Sequence, residues 1–319
     1  MMRVDGRRRL FGVRVHHSTM GEVFRGSEAL RDGTLTEHAL RRWYRPLFPD
    51  VYVPRNSRPT LNDRIVGAWL WSRRRAVVAG NAAAALHGAA WIDADTVIEL
   101  IGKASRRHPG LLVRNERLEP DEITEVHGLP VTAVDRTAFD LGRHLARNEA
   151  VARMDALLRA TSFSADDVNA LAAQRKGLRG LRRLQSALQL VDGGAMSPRE
   201  SWLRLLLHDA GLPKPTSQLP VFRGRRLVAV FDLGWDEFKV AAEYDGDYHR
   251  SDRGRFVKDI DKLRIADELG WIVIRVVSEH SPAGIVSRVY QALTRRGWRP
   301  DRRQRASLSR FLALTSISA

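Results

Sequence analysis

Apolar and polar positions alternate along this chain with two different periods. Segments such as "TLTEHALRRWY" and "SPRESWLRLLLHDAGL" repeat apolar residues at helical spacing. Short apolar runs such as "LVAVFDLG" and "WIVIRVV" have the length and β-branched content of strands. Near the amino terminus, "TMGEVFRGSEALRDG" predicts a helix that stops at Gly33. A second helix follows in "TLTEHALRRWY", with Thr36 as N-cap and Leu40 and Tyr44 on one face. "RPLFPDVYVPR" then sets Val51 and Val53 against Tyr52, as a short strand pair does, and ends at Pro54.

Helix, turn, helix and strand pair is the order of a winged helix-turn-helix, placed here at residues 1–60. In that fold Arg41, Arg42 and Arg45 line the helix that meets duplex DNA, or its exit. A small helical domain with a solvated basic face is the other reading. Residues 61–194 predict a middle α/β region, with helices in "LNDRIVGAWLWSRRRAVVAGNAAAALHG" and strands in "TVIELIG" and "GLLVRN". Asp135 and Arg136 are expected to cap and pair locally, and the histidines there are scattered without catalytic spacing. "LVDGGAMSP" breaks the pattern and marks a boundary.

The last domain, 195–300, opens on a helix with Ser197 as cap, Pro198 at the first helical position and Glu200 in the first turn. "LVAVFDLGWDEFKVAAEYDGDYH" then reads as two strands turning at "GWDE". A charged helix stopping at Gly270, the strand "WIVIRVV" and a closing helix complete an α/β sandwich around a mixed sheet. Residues 301–319 are left as a carboxyl-terminal tail. The fold class is therefore α/β multidomain.

Composition narrows the partners. Net charge is +16 with a pI near 11.1, and such a field draws polyanions, double-stranded DNA above all. With no cysteine, disulfides and thiolate metal sites are excluded, which fits a cytoplasmic protein. The opening "MMRVDGRRRLFGVRVHH" lacks the apolar run of a secretory signal. The alanine-rich "AVVAGNAAAALHGAAWI" is interrupted by Asn81 and His87 and reads as a buried helix, so no membrane role is expected.

The candidate chemistry lies in "FDLGW" and "AAEYDGDYH". Side chains alternate along a strand, so Glu243 and Asp245 share a face, and a hairpin brings Asp232 close to Glu243. Clustered carboxylates repel one another, and a hard divalent cation, Mg2+ or Mn2+, relieves that repulsion with oxygen ligands alone. Glu200 is placed to complete the cluster. A plain turn at Asp245-Gly246 accounts for those two residues but leaves Asp232 and Glu243 unexplained.

With "SPRES" and "DKLRIADELGWIVIRV" added, this set resembles the PD-(D/E)XK nuclease superfamily, in particular its very-short-patch-repair-like branch. The resemblance covers about 197–295 and implies a restriction-endonuclease-like domain that cuts DNA with a divalent metal. By it, Asp232 and Glu243 are the metal ligands and Glu200 an accessory acid. Asp245 stands where that superfamily usually has lysine, and His249 is the candidate base or leaving-group donor. Arg264 either faces phosphate or pairs with Asp261 one turn away. The front of the chain, with "VVAGNAAAALHG" and "GLPVTAVDRTAFDLG", resembles AbiEi-type antitoxins. That resemblance implies a winged-helix autorepressor with a cognate toxin. The two expectations are thus an endonuclease and an antitoxin carrying a spent nuclease fold.

Overall fold

The computed structural model describes residues 23–103, 107–245 and 253–316. The first unit runs β1 (Phe24–Arg25), α1 (Gly26–Arg31), α2 (Glu37–Trp43), β2 (Tyr44–Phe48) and β3 (Val51–Pro54). Its strands pair antiparallel in the order β1-β3-β2. Residues 19–22 of the first expected helix lie outside the described residues; Phe24 and Arg25 are extended and pair with Tyr52 and Val51, so α1 begins at Gly26. Phe24 meets Tyr44 edge-on at 4.9 Å and stacks on Tyr52 at 6.2 Å. Those aromatic contacts outweigh the helical spacing. Gly26 begins α1 beneath the Tyr52 ring, where a Cβ would lie 2.5 Å from a ring carbon. Thr36 caps α2 as expected, accepting the Ala39 N–H at 3.2 Å.

The middle region runs α3 (Leu61–Trp71), β4 (Val77–Ala79), α4 (Gly80–Leu86), β5 (Ile98–Ile101), β6 (Leu111–Arg114), β7 (Ile123–Val126) and β8 (Leu129–Thr132). Four helices follow: α5 (Val134–His144), α6 (Arg147–Ala160), α7 (Ala165–Gln174) and α8 (Leu181–Leu188). Its mixed sheet has the order β6-β5-β4-β8-β7. Ile65, Val78, Ile98, Leu100 and Val131 form one core between α3 and this sheet. Phe139, Val151, Met154, Leu157 and Leu184 form a second among the helices.

The last layer runs α9 (Pro198–Asp209), β9 (Thr216–Arg223), β10 (Arg226–Trp235), β11 (Val240–Tyr244), α10 (Arg253–Glu268), β12 (Ile272–Val276), α11 (Pro282–Arg295) and α12 (Arg302–Ser316). The sheet order is β12-β11-β10-β9, with β11 and β12 parallel and the other pairs antiparallel. Phe231, Ala241, Ala266 and Trp271 pack the α10 face, and Leu203, Leu233, Ala242, Val276 and Val289 pack the face of α9 and α11. This is the expected sandwich with one strand more. β9 hides in "TSQLPVFR" because Pro220 reads as a breaker, yet β9 is an edge strand, where proline is tolerated. The segment assigned to a tail is largely the helix α12, whose Leu308 and Phe311 pack onto the α9–α11 core. Among the described residues no helix is long and apolar enough to cross a membrane.

Candidate functional site

β10 and β11 pair through Trp235↔Val240, Gly234↔Ala241 and Leu233↔Ala242, so Asp232 and Glu243 stand next in the ladder. There a side chain takes the place of a backbone acceptor: the Tyr244 N–H donates to Asp232 Oδ2 at 2.8 Å. Beyond it the Asp245 N–H donates to the Val276 carbonyl at 2.7 Å. Asp232, Glu243, Asp245, Lys262 and Arg275 line one cleft at this end of the sheet. Its charges are interleaved. Lys262 donates its ammonium to Glu243 Oε1 and lies 4.9 Å from the Phe231 ring centroid, while Arg275 pairs with Asp245.

Asp232 and Glu243 therefore line the same cleft; they are two carboxylates there that could offer oxygen ligands to a hard divalent cation, and Lys262 already compensates Glu243. Lys262 was not legible from spacing alone. It lies on α10, well removed in sequence from Glu243, and only the fold returns that helix to the strand. Lys239, just ahead of β11 in a left-handed conformation, instead donates to the Leu269 carbonyl at 3.0 Å.

Glu200 is buried on α9, and both its oxygens already have donors. Oε2 accepts the Met196 N–H at 2.8 Å and the Gln218 side-chain amide at 2.9 Å, and Oε1 accepts the Ser197 hydroxyl at 3.0 Å. Ser197 in turn accepts the Glu200 N–H at 3.2 Å, a reciprocal cap of the helix start. Burial pushes the Glu200 carboxyl above its ordinary range, and the negative field of Asp232 adds to this. Gln218 holds its amide there from a left-handed backbone, φ +50°, an expensive conformation for a non-glycine residue. Glu200 thus anchors the helix beside the cleft rather than presenting a free oxygen to it.

His249 lies outside the described residues. Arg264 is exposed and pairs with Glu268, with Asp261 3.9 Å away, so local pairing is what the structure shows for it.

In the amino-terminal unit the α2 surface is cationic and aromatic. Arg41 and Arg42 are exposed, Arg41 pairing with Glu37 at 2.7 Å and the Arg42 guanidinium sitting 4.9 Å over the Trp43 ring. Trp43 is itself 59% exposed. Arg45 is half-buried and donates to the Ser57 carbonyl at 3.1 Å. Arg55 reaches back to the carbonyls of Arg41 at 2.5 Å, Arg42 at 3.2 Å and Tyr44 at 3.3 Å, tying the end of α2 to the hairpin. Sequence reasoning found neither Trp43 nor Arg55, although an exposed tryptophan beside paired arginines is the signal that was available.

The middle region holds a buried charge network. Arg136, 1% exposed, pairs with Asp140 at 3.0 Å one turn along α5 and with Glu116 at 2.9 Å and Glu122 at 3.2 Å across the fold, whereas the start of α5 has no side-chain cap where Asp135 was expected to supply one. Glu116, Asp140 and His144 lie close enough together to hold an ion. Arg136 and Arg143 already neutralise those carboxylates, which suits a structural ion-pair core and not a metal.

Two uncharacterized proteins from strains of Mycobacterium tuberculosis are each 29% identical to this chain over 262 residues, 80% of its length and 93% of theirs. No solved structure matches it. Residues 76–192, from the lead into β4 through the segment after α8, match the family model of the AbiEi antitoxin C-terminal domain.

Proposed function

We propose that this protein is a DNA-binding antitoxin of the AbiEi type, which represses transcription from its own promoter and pairs with a cognate toxin. The match of residues 76–192 to the antitoxin domain carries this reading. The unit ahead of it supports DNA contact. Strand, helix, helix and hairpin follow in order, and α2 ends on the exposed Arg41, Arg42 and Trp43. Arginines there would neutralise phosphates, so binding should weaken steeply with salt. The test is a gel-shift titration on the duplex upstream of the protein's own gene. Arg41→Ala with Arg42→Ala should weaken the complex and flatten its salt dependence. Undiminished binding by that variant would remove α2 from the interface.

A second reading applies to the carboxyl-terminal layer, and the shared cleft of Asp232 and Glu243 favours it. In this reading the domain is a divalent-metal phosphodiesterase acting on DNA. Asp232 and Glu243 would hold the ion, which supplies an activated water and stabilises the departing phosphodiester oxygen. Lys262 supplies, from α10, the cation missing at position 245, balancing the charge of Glu243. Plasmid incubated with the protein and Mg2+ should then be nicked, and Asp232→Ala should abolish nicking. Intact plasmid under all divalent cations leaves the antitoxin reading alone.

A further inference from the structure

We infer that the tip of the β9–β10 hairpin is a second duplex-DNA contact, separate from α2. Arg223 and Arg226 are opposite one another, and the chain turns between them through Gly224 and Arg225. Gly224 has φ +60°, the left-handed conformation that a two-residue hairpin turn demands. Three arginines therefore crowd one turn. Like charges directly across a strand pair are destabilising, so the fold gains nothing from this arrangement. Glu268 balances Arg223 at 2.5 Å, whereas Arg225 and Arg226 are exposed and make no ion pair or side-chain hydrogen bond among the described residues.

Below the tip the ribbon has two unlike faces. Leu219, Val221, Ala229 and Phe231 are buried toward α10. Phe222 opposes Leu227, and Pro220 opposes Val230, and all four are exposed, Phe222 by 52% and Leu227 by 51%. A bare apolar strip under an uncompensated cationic tip is an interaction surface. Charge complementarity selects a polyanion for it, in a chain of net charge +16. Shape selects duplex DNA, because the major groove admits a two-stranded ribbon whereas the deep, narrow major groove of duplex RNA does not. Arg225 and Arg226 then take backbone phosphates, and the Phe222–Leu227 strip faces the groove, where thymine methyls offer apolar contact. Asp232 lies on the same strand, six residues from Arg226 and about 20 Å along it at strand rise, or roughly six base pairs of duplex. The surface does not depend on whether that cleft cuts.

The experiment measures the full chain on a mixed-sequence DNA duplex across a salt series, so that promoter recognition is not involved. Arg225→Ala with Arg226→Ala should bind several-fold more weakly and lower the log–log salt slope by about 2, near 0.9 for each lost phosphate contact. The lysine pair Arg225→Lys, Arg226→Lys should restore the slope. Phe222→Ser with Leu227→Ser should weaken binding with the slope unchanged. The same losses should persist in an Arg41→Ala, Arg42→Ala background, which separates this surface from α2. Unaltered affinity and slope in the alanine pair would overturn the proposal. Equal binding to duplex RNA would overturn it as well. So would a wild-type dimer that Phe222→Ser and Leu227→Ser convert to monomer without touching DNA affinity, since the strip would then belong to a second copy.

Discussion

The ammonium of Lys262 on α10 closes onto the carboxylate of Glu243 on β11, joining the helix that covers the sheet to the charged cleft at the end of its central strands. Both side chains are largely shielded, 23% and 15% exposed, and each compensates charge on the other. Lys262→Met should therefore cost about 1–3 kcal/mol of stability, read from urea unfolding. Adding Glu243→Gln should recover much of that loss, a coupling that a double-mutant cycle measures. Strictly additive losses would mean that the two groups do not compensate each other.

Arg136 is the hub of the middle region, with Glu116, Glu122 and Asp140 all on its guanidinium. Arg136→Met keeps much of the volume and removes the charge, leaving buried carboxylates without their cation. A loss of roughly 3–5 kcal/mol is expected, as for any buried pair broken on one side. Burial already pushes the Asp140 carboxyl upward, with Arg136 the largest opposing influence. The deficit should therefore shrink in mild acid, where the orphaned carboxyl groups can protonate. Chemical denaturation at two pH values checks both statements.

Glu28 on α1 accepts two hydrogen bonds from Arg74, at 2.6 and 2.7 Å, linking the amino-terminal unit to the turn after α3. Its carboxyl is lowered to about 2, chiefly by that Arg74 hydrogen bond, with Arg25 adding to it against the effect of burial. A depressed carboxylate stabilises the fold at pH values above its ordinary range and loses that contribution as the pH falls. The link should thus be intact above about pH 4.5 and fade toward about pH 2. Acid unfolding of Glu28→Gln should lose this part of the pH dependence; a curve superimposable on wild type would discount the link.

Local signals were readable before the fold was known. Thr36 and Ser197 cap helices through side-chain bonds made within three residues, and such chemistry is written into adjacent positions. Strand alternation likewise put Asp232 and Glu243 near one another, because a hairpin is itself a local object. What stayed hidden depends on returns from far along the chain. Lys262 reaches Glu243 only after α10 folds back over the sheet, and Arg136 finds Glu116 and Glu122 only when the segment between β6 and β7 packs against α5. Glu200 was expected beside the cleft from its helix and from the nuclease resemblance; the hydrogen bonds its oxygens accept from Met196, Ser197 and Gln218 were not part of that reading. β9 was missed because proline statistics describe central strands better than edges.

Asp155 on α6 welds the antitoxin-like region to the last layer. Its Oδ1 accepts the Asp192 N–H at 2.7 Å, and its Oδ2 accepts from the Ser201 hydroxyl at 2.6 Å and the Arg204 guanidinium at 2.7 Å. Arg204 also donates to the Leu190 carbonyl at 2.5 Å, and both charged residues are buried. Asp192 continues the chain of contacts by accepting from Ser217 on β9 at 2.7 Å. Leu205 of α9 meanwhile packs in the helical core of the middle region. Cores that share a helix and a buried ion pair should melt together, so the wild-type protein should show one calorimetric transition across both. Asp155→Asn preserves shape but removes the charge facing Arg204, at an expected cost of about 3–5 kcal/mol. That loss should fall on the junction and split the transition in two, the helical core and the carboxyl-terminal sheet now unfolding separately. Two transitions already present in the wild type would show that the junction does not couple them.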